Sequence, residues 1–182
     1  MTRNDWVVGG ARRDVAVDRI YRAATELVVA KGLDGLDIDA LAARLHCSRA
    51  TIYRYAGGKA QIRDAVLMRL AAGIIATVRD SVEGLSGAER VVRAIKVALD
   101  QIKTGPFRRL MLSATSASQL GELHSSPVLR HLAAELTGIT GDDSDAAHWI
   151  VRVVVSLSYW PTNDEHDEEQ LLRRFIAPAF AE

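Results

Sequence analysis

The chain has 182 residues, 48% of them hydrophobic and 25% charged, which suits one domain of ordinary size or a small module joined to a larger one. Lys+Arg and Asp+Glu balance at 23 each, a net charge that by itself argues against a nucleic-acid partner. No apolar run is long enough to predict a membrane span, and MTRNDWVVGGARRD lacks the apolar core of a secretion signal. The single cysteine, Cys47, excludes an intrachain disulfide, and a cytoplasmic setting is expected.

In chain order, the spacing predicts helices throughout. Val17, Ile20, Tyr21, Ala24, Leu27 and Val28 hold helical register between Asp14 and Lys31, and Gly32 supplies a stop. Asp37 is placed to cap a second helix with Ile38, Leu41, Ala42 and Leu45 on its apolar face. Ser48 is placed to cap a short third helix that Gly57-Gly58 breaks. A long fourth helix follows from Lys59 to near Val82, with an expected stripe of Ile62, Val66, Leu70, Gly73, Ile74 and Thr77. A fifth helix spans about 88 to 103, and Gly105-Pro106 opens a sixth, PFRRLMLSATSASQL. Pro127 opens a seventh. Ala147 to Tyr159 is apolar almost all round and should be covered on several sides. Leu171, Leu172, Phe175, Ile176 and Ala179 mark a last amphipathic helix. The expected class is all-α, with about nine helices and no strand.

The balanced total hides an asymmetry. Up to Lys59 there are ten Lys and Arg against seven Asp and Glu, and after it thirteen against sixteen. The basic excess falls where CSRATIYRYAGGK gathers two tyrosines, two arginines and a lysine into thirteen positions. Two short helices joined by a tight turn form a helix-turn-helix unit, whose second helix enters the major groove of DNA. Arg49, Ala50 and Thr51 would open that helix. Arginine suits a guanine edge, and the threonine methyl suits a thymine methyl. Tyr53 and Arg54 reach toward phosphate, and Lys59 offers an ammonium beside the free N–H groups of a helix start. Asp37 and Ser48 cap the two helices of the unit and complete the expected interface. Arg12 and Arg13 precede the expected first helix and would add a basic arm.

Residues 14 to 62 resemble the DNA-binding domain of the tetracycline-repressor (TetR) family of bacterial transcription regulators. The matching segments are IYRAATELVVAKG (20 to 32), Leu41-Ala42 and, above all, SRATIYRYAGGKAQI (48 to 62), with Ser48, Thr51, Ile52, Tyr53, Tyr55, Lys59 and Ile62 on the family pattern. Three positions depart from it: His46 stands where glycine is usual in the turn, Ala56 where Phe is usual, and Asp39 where a basic or polar residue is usual. The resemblance implies a DNA-binding domain over 1–58 and a helical effector-binding and dimerisation domain over 59–182. It implies a homodimer on a double-stranded DNA operator, repression by default, and release by a small apolar or aromatic effector through the fourth helix as a lever. Candidate pocket residues are Leu70, Ile74, Phe107, Met111, Leu112, Leu120 and Trp149. Ser113, Thr115 or Ser116 would orient the effector. Candidate dimer residues are Ile150, Val151, Val154 and Leu157, with Leu171, Leu172, Phe175 and Ile176.

Catalysis is not expected. The histidines are scattered, and no HExxH, CxxC or glycine-rich phosphate loop is present, so no metal or cofactor is expected. Two rival readings remain. One is a thiol sensor at Cys47, beside His46 and Arg49 in the turn. The other is a helical interaction protein that has lost DNA binding and presents its acidic stretch, 163 to 169, to a partner.

Overall fold

The computed structural model describes residues 5–113, 121, 123–139, 143–162 and 164–181, with side chains from residue 13 onward except 106 and 111–113. Among these residues all regular structure is helical. The α-helices are α1 (Asp5–Lys31), α2 (Ile38–Leu45), α3 (Arg49–Ala56), α4 (Lys59–Ser81), α5 (Gly87–Thr104), α6 (Pro106–Ser113), α7 (Pro127–Thr137), α8 (Ser144–Tyr159) and α9 (Glu165–Leu171). The chain continues from α9 through a π turn, Leu172–Ile176, and a 3-10 turn, Ala177–Phe180. Residues 114–120, where the sequence extends the sixth helix, lie outside the described residues.

The chain divides into two compact units, Met1–Arg69 and Leu70–Glu182. The division falls inside α4 rather than at its start, because the first turns of α4 bury Ile62, Val66 and Leu67 completely.

In the first unit α1 buries Ile20, Ala24, Leu27 and Val28, α2 buries Leu41 and Ala42, and α3 buries Ile52 and Ala56. The three helices contact one another pairwise. Each Leu, Ile or Val so buried contributes about 1.5–3 kcal/mol of transfer free energy, so this small core holds short helices that would not persist alone. α1 ends where Gly32 turns, its N–H donating to the Val28 carbonyl at 2.8 Å. Its start corrects the sequence reading. It begins at Asp5 rather than near Asp14 and runs through Gly9-Gly10, so Arg12 and Arg13 belong to the helix and are not an arm before it. Two glycines weaken a helix by about 1 kcal/mol each relative to alanine, which is why the spacing predicted a later start.

In the second unit Val91, Val92, Ile95 and Leu99 of α5 pack with Ile150 and Val153 of α8 and with Leu172 and Ile176. A satellite cluster joins Val78 and Val82 to Ala94. The α4 stripe differs from expectation. Gly73 and Thr77 are exposed, and Thr77 Oγ1 donates back to the Gly73 carbonyl at 3.0 Å. Val78, one turn beyond Ile74, is buried instead.

One clamp closes this unit. Arg90 donates from Nε to the Leu136 carbonyl at 3.0 Å and from a terminal nitrogen to the Glu135 carbonyl at 3.3 Å, capping the C-terminus of α7. The guanidinium lies so close to Gly138 that a Cβ there would sit 2.9 Å from it, and Gly138 has φ 75. Glycine is required at that position on both counts.

Candidate nucleic-acid interface

The turn between α2 and α3 is built by three residues. His46 adopts φ 53 and ψ 46, the one non-glycine residue at positive φ among the described residues, and its N–H returns to the Ala42 and Ala43 carbonyls. Histidine thus takes the left-handed conformation that glycine would take more cheaply. Cys47, half-buried, donates its N–H to the Ala42 carbonyl at 3.0 Å. Ser48 is extended, and its Oγ accepts from the Thr51 N–H at 3.1 Å while sharing a 2.9 Å hydrogen bond with Thr51 Oγ1. The turn therefore releases α3 already capped.

α3 then sorts its residues by face. Ile52 and Ala56 are buried and Tyr55 is half-buried, whereas Arg49, Ala50, Tyr53 and Arg54 are exposed. Positions 49, 53 and 50, 54 are i, i+4 pairs, so they form one continuous outer face. Tyr53 is 54% exposed, and the Arg54 guanidinium lies 4.9 Å from the Tyr55 ring centroid. Thr51 sits at the edge of this face with its hydroxyl already engaged by Ser48, which leaves its methyl group as the part free to meet a base.

Two acids shape the field around that face. Asp37 Oδ1 accepts from the Ala40 N–H at 2.9 Å, so Asp37 acts as the α2 cap. That bond, with smaller contributions from the Arg49 and Lys59 charges, holds its carboxyl below the ordinary aspartate range. Asp39, on the first turn of α2, is ion-paired to Arg49. Arg44, near the end of α2, is ion-paired to Glu26 of α1. The sequence marked Asp39 only as a departure from a basic position and gave no sign that it grips the leading arginine of α3.

Lys59 opens α4 and is exposed. The preceding Gly58 N–H donates to Gln61 Oε1 at 3.0 Å, the returning half of a capping box. Arg13 is exposed on α1; the side chain of Arg12 lies outside the described residues. The Arg49 and Lys59 charges both act on Asp37, and Ser48 and Thr51 meet at the start of α3.

The second unit holds a cavity of about 110 Å³. Ile74 and Phe107 line it, together with Ala98, Ile102, Leu132 and Val154. Leu70 is buried but does not line it. Trp149 does not line it either: with Arg152 and Ser156 it occupies the exposed stripe of α8, which Trp160 continues just past the helix end, and its own exposure is 50%. The side chains of Met111, Leu112 and Ser113, and all of Thr115, Ser116 and Leu120, lie outside the described residues.

The residues expected at a subunit contact also divide. Ile150, Val151, Leu172 and Ile176 are buried within this chain, and Ile150, Val151 and Val154 face the cavity. Leu157 is half-buried against the α5–α8 core. Leu171 and Phe175 are exposed, at 39% and 63%, and share one surface depression with Trp149 and Trp160. Successive residues of the terminal segment point opposite ways, which a single apolar stripe did not predict. Among the described residues no group of His, Cys, Asp and Glu is placed to hold a metal ion, and no helix is long and apolar enough to cross a membrane.

Residues 20–66 match the family model described as bacterial regulatory proteins, tetR family. Over 188 aligned residues the chain is 30% identical to uncharacterized HTH-type transcriptional regulators from two strains of Mycobacterium tuberculosis, covering 98% of this chain and 91% of each relative. The HTH-type transcriptional repressor DrrR1 of Streptomyces coeruleorubidus is 34% identical over 61 residues, 34% of this chain and 23% of that one. Two solved structures share the fold. One is the TetR family repressor AlkX of a Dietzia strain, implicated in biodegradation of n-alkanes, with a TM-score of 0.54 and 19% identity over 88% of this chain and 95% of that one. The other is the R. erythropolis transcriptional repressor QsdR, at 0.51 and 18% over 93% and 97%. With its capped helix-turn-helix and its full-length relatives, the chain belongs to the tetR family of bacterial regulatory proteins and is a DNA-binding transcriptional regulator.

Proposed function

We propose that the chain is a repressor that grips a palindromic operator as a homodimer and lets go when a small apolar molecule enters the cavity of the second unit. The observation that carries this reading is the outer face of α3. Arg49, Ala50, Tyr53 and Arg54 stand exposed together, directly after a turn that caps the helix. Residues 1–58 meet DNA and residues 59–182 hold the effector and the second subunit. DrrR1, whose likeness to this chain is confined to 61 residues, is a transcriptional repressor.

The homodimer is supported by four exposed large apolar side chains, Trp149 on α8, Trp160 just past its end, Leu171 at the end of α9 and Phe175 in the π turn. Contiguous exposed apolar surface of this kind marks an interface, and about 800 Å² per subunit would make a stable one. Two copies of α3 can enter successive major grooves only if a dimer spaces them about 34 to 36 Å apart. Release by the effector is a population shift, which requires the molecule to bind the DNA-incompetent state more tightly.

Selection of bound duplexes from a random or genomic pool tests the whole reading. The expected product is a palindrome whose half-sites lie one helical turn, or a multiple of it, apart. A protein that stays monomeric and retains no duplex at low salt refutes it.

A further inference from the structure

We infer that the effector is an uncharged, hydrocarbon-like molecule that carries no group in need of a hydrogen-bond donor; this rests on the proposed role of the cavity.

The size follows from volume. The cavity measures about 110 Å³. A dry cavity of about 150 Å³ takes benzene, so a guest wholly inside this one has no more than about six heavy atoms, and a longer guest extends through its opening. The chemistry follows from the walls. Among the described residues lining it, only Thr137 and Ser158 carry a polar side chain, and none carries a charge. Both hydroxyl protons are already committed. Thr137 Oγ1 donates to the Ala133 carbonyl at 2.5 Å, and Ser158 Oγ donates to the Val154 carbonyl at 2.6 Å. Each is a bond to the residue's own helix one turn earlier, which a guest's acceptor would have to break.

Among the described lining residues a carboxylate, phenolate or ketone oxygen would therefore meet no uncommitted donor. An ammonium would meet no carboxylate. An unpaired carbonyl in such a site is costly, and an unpaired charge is neutralised or excluded. Apolar walls of this kind favour apolar guests. Ser113, Thr115 and Ser116, the hydroxyls expected to orient the effector, lie outside the described residues. The two hydroxyls seen here orient nothing by donation.

The test uses three probes of nearly equal size: n-octane, 2-heptanone and heptanoate. Thermal unfolding of the full chain without DNA, in sealed cells at pH 7, reads binding to the folded state. The expected order is octane, then heptanone weaker by about tenfold or more, then heptanoate weaker by about two orders of magnitude. Ala98→Phe, which fills the cavity, should abolish the octane shift, whereas Ser158→Ala should leave it unchanged. Octane and heptanoate are compared on the unaltered chain, so the result does not depend on either variant folding.

Heptanoate binding as well as octane overturns the inference, and so does an octane shift that survives Ala98→Phe in a folded variant. Duplex binding by the same preparation separates the two readings. DNA binding with no octane shift sinks the effector class and leaves the DNA reader standing. An octane shift with no duplex bound does the reverse.

Discussion

Arg49, the first residue of α3, is ion-paired to Asp39 on the first turn of α2. Both side chains are more than half exposed, so the pair is worth no more than about 1 kcal/mol to the fold. Its weight falls on DNA binding. A guanidinium held by a carboxylate must leave it to make a bidentate contact with guanine, and the acid left behind faces the phosphates. Asp39→Asn should therefore raise affinity for every duplex several-fold at low salt and steepen the salt dependence by about one counterion. Titrations against a selected operator and an unrelated duplex, over a range of salt, check this. Affinity that stays level or falls in the variant contradicts the role given to Asp39.

The outer face of α3 makes a division of labour testable. Tyr53→Ala and Lys59→Ala should weaken binding to all sequences about equally, and Lys59→Ala should also reduce the salt slope by about one. Arg49→Ala should relax sequence choice at one base pair at a cost of about 1–3 kcal/mol on the preferred site. Thr51→Ala removes both a methyl group and a partner of the Ser48 hydroxyl, so it should cost stability as well as discrimination. Binding to an operator series with single base changes separates the two classes. If neither pair matters, α3 is not the reading helix.

The turn should respond to substitution in the order that φ dictates. At φ 53, His46→Gly removes a left-handed penalty of about 1 kcal/mol but gives the unfolded chain more freedom, so stability should change by less than that amount. His46→Val adds a β-branch to the same conformation and should cost about 1–2 kcal/mol. Ser48→Ala removes the acceptor for the Thr51 N–H and should cost about 1 kcal/mol. Denaturant unfolding of the three variants checks the order, which fails if valine is tolerated as well as glycine.

Acid should loosen the molecule through three carboxylates, Asp37 exposed and Asp18 and Glu169 half-buried. Asp18 is held down first by its hydrogen bond from Arg69 and then by that from Arg22. Asp37 is held down by the Ala40 N–H, and Glu169 by Lys96 and then Arg173. Each folded value lies below the ordinary one, 3.8 for aspartate and 4.5 for glutamate. Their stabilisation is therefore complete above those values and is lost as pH falls through the lower, folded ones. These three carboxylates should contribute no change in melting temperature between pH 7 and about 5, and their contribution should decline below about 4, less steeply in Asp37→Asn. Salt should shrink the contributions of Asp18 and Glu169, which rest on ion pairs, more than that of Asp37, which rests on a backbone N–H.

What could be read from the sequence was mostly local. Asp37 and Ser48 announce caps because a cap is a bond to a residue three positions on, and both bonds are present. Periodicity placed Ile20, Leu27, Leu41 and Ile52 in the core for the same reason. What escaped joins distant positions. Arg90 reaches the end of α7 across 46 residues, and no pattern around Arg90 foretells a clamp. α8 defeated the reading differently. It is apolar almost all round, so period alone could not say which flank meets the cavity and which the solvent. Trp149 was accordingly assigned to the pocket and stands outside it. Asp39 was visible as an odd residue, but its partner is on the next helix.

Glu168 supplies the remaining prediction, and the most severe. It is 1% exposed, and both its oxygens lie within 3.1 Å of Lys103 Nζ on α5. Lys103 is itself 35% exposed, so water reaches the ammonium but not the acid. Burying a carboxylate is tolerated only while its countercharge stays in place. Lys103→Met should leave Glu168 alone in the core, at the low end of the roughly 3–5 kcal/mol such losses cost. Adding Glu168→Leu to that variant should recover most of the loss, because a well-packed apolar pair often replaces a buried ion pair without penalty. A double-mutant cycle by denaturant unfolding reads the coupling directly. If Lys103→Met is as stable as the unaltered chain, or if the second substitution only adds to the damage, Glu168 is not held by Lys103. Because both residues lie far from α3 in sequence and belong to the second unit, duplex affinity measured on folded protein should not distinguish the double variant from the unaltered chain.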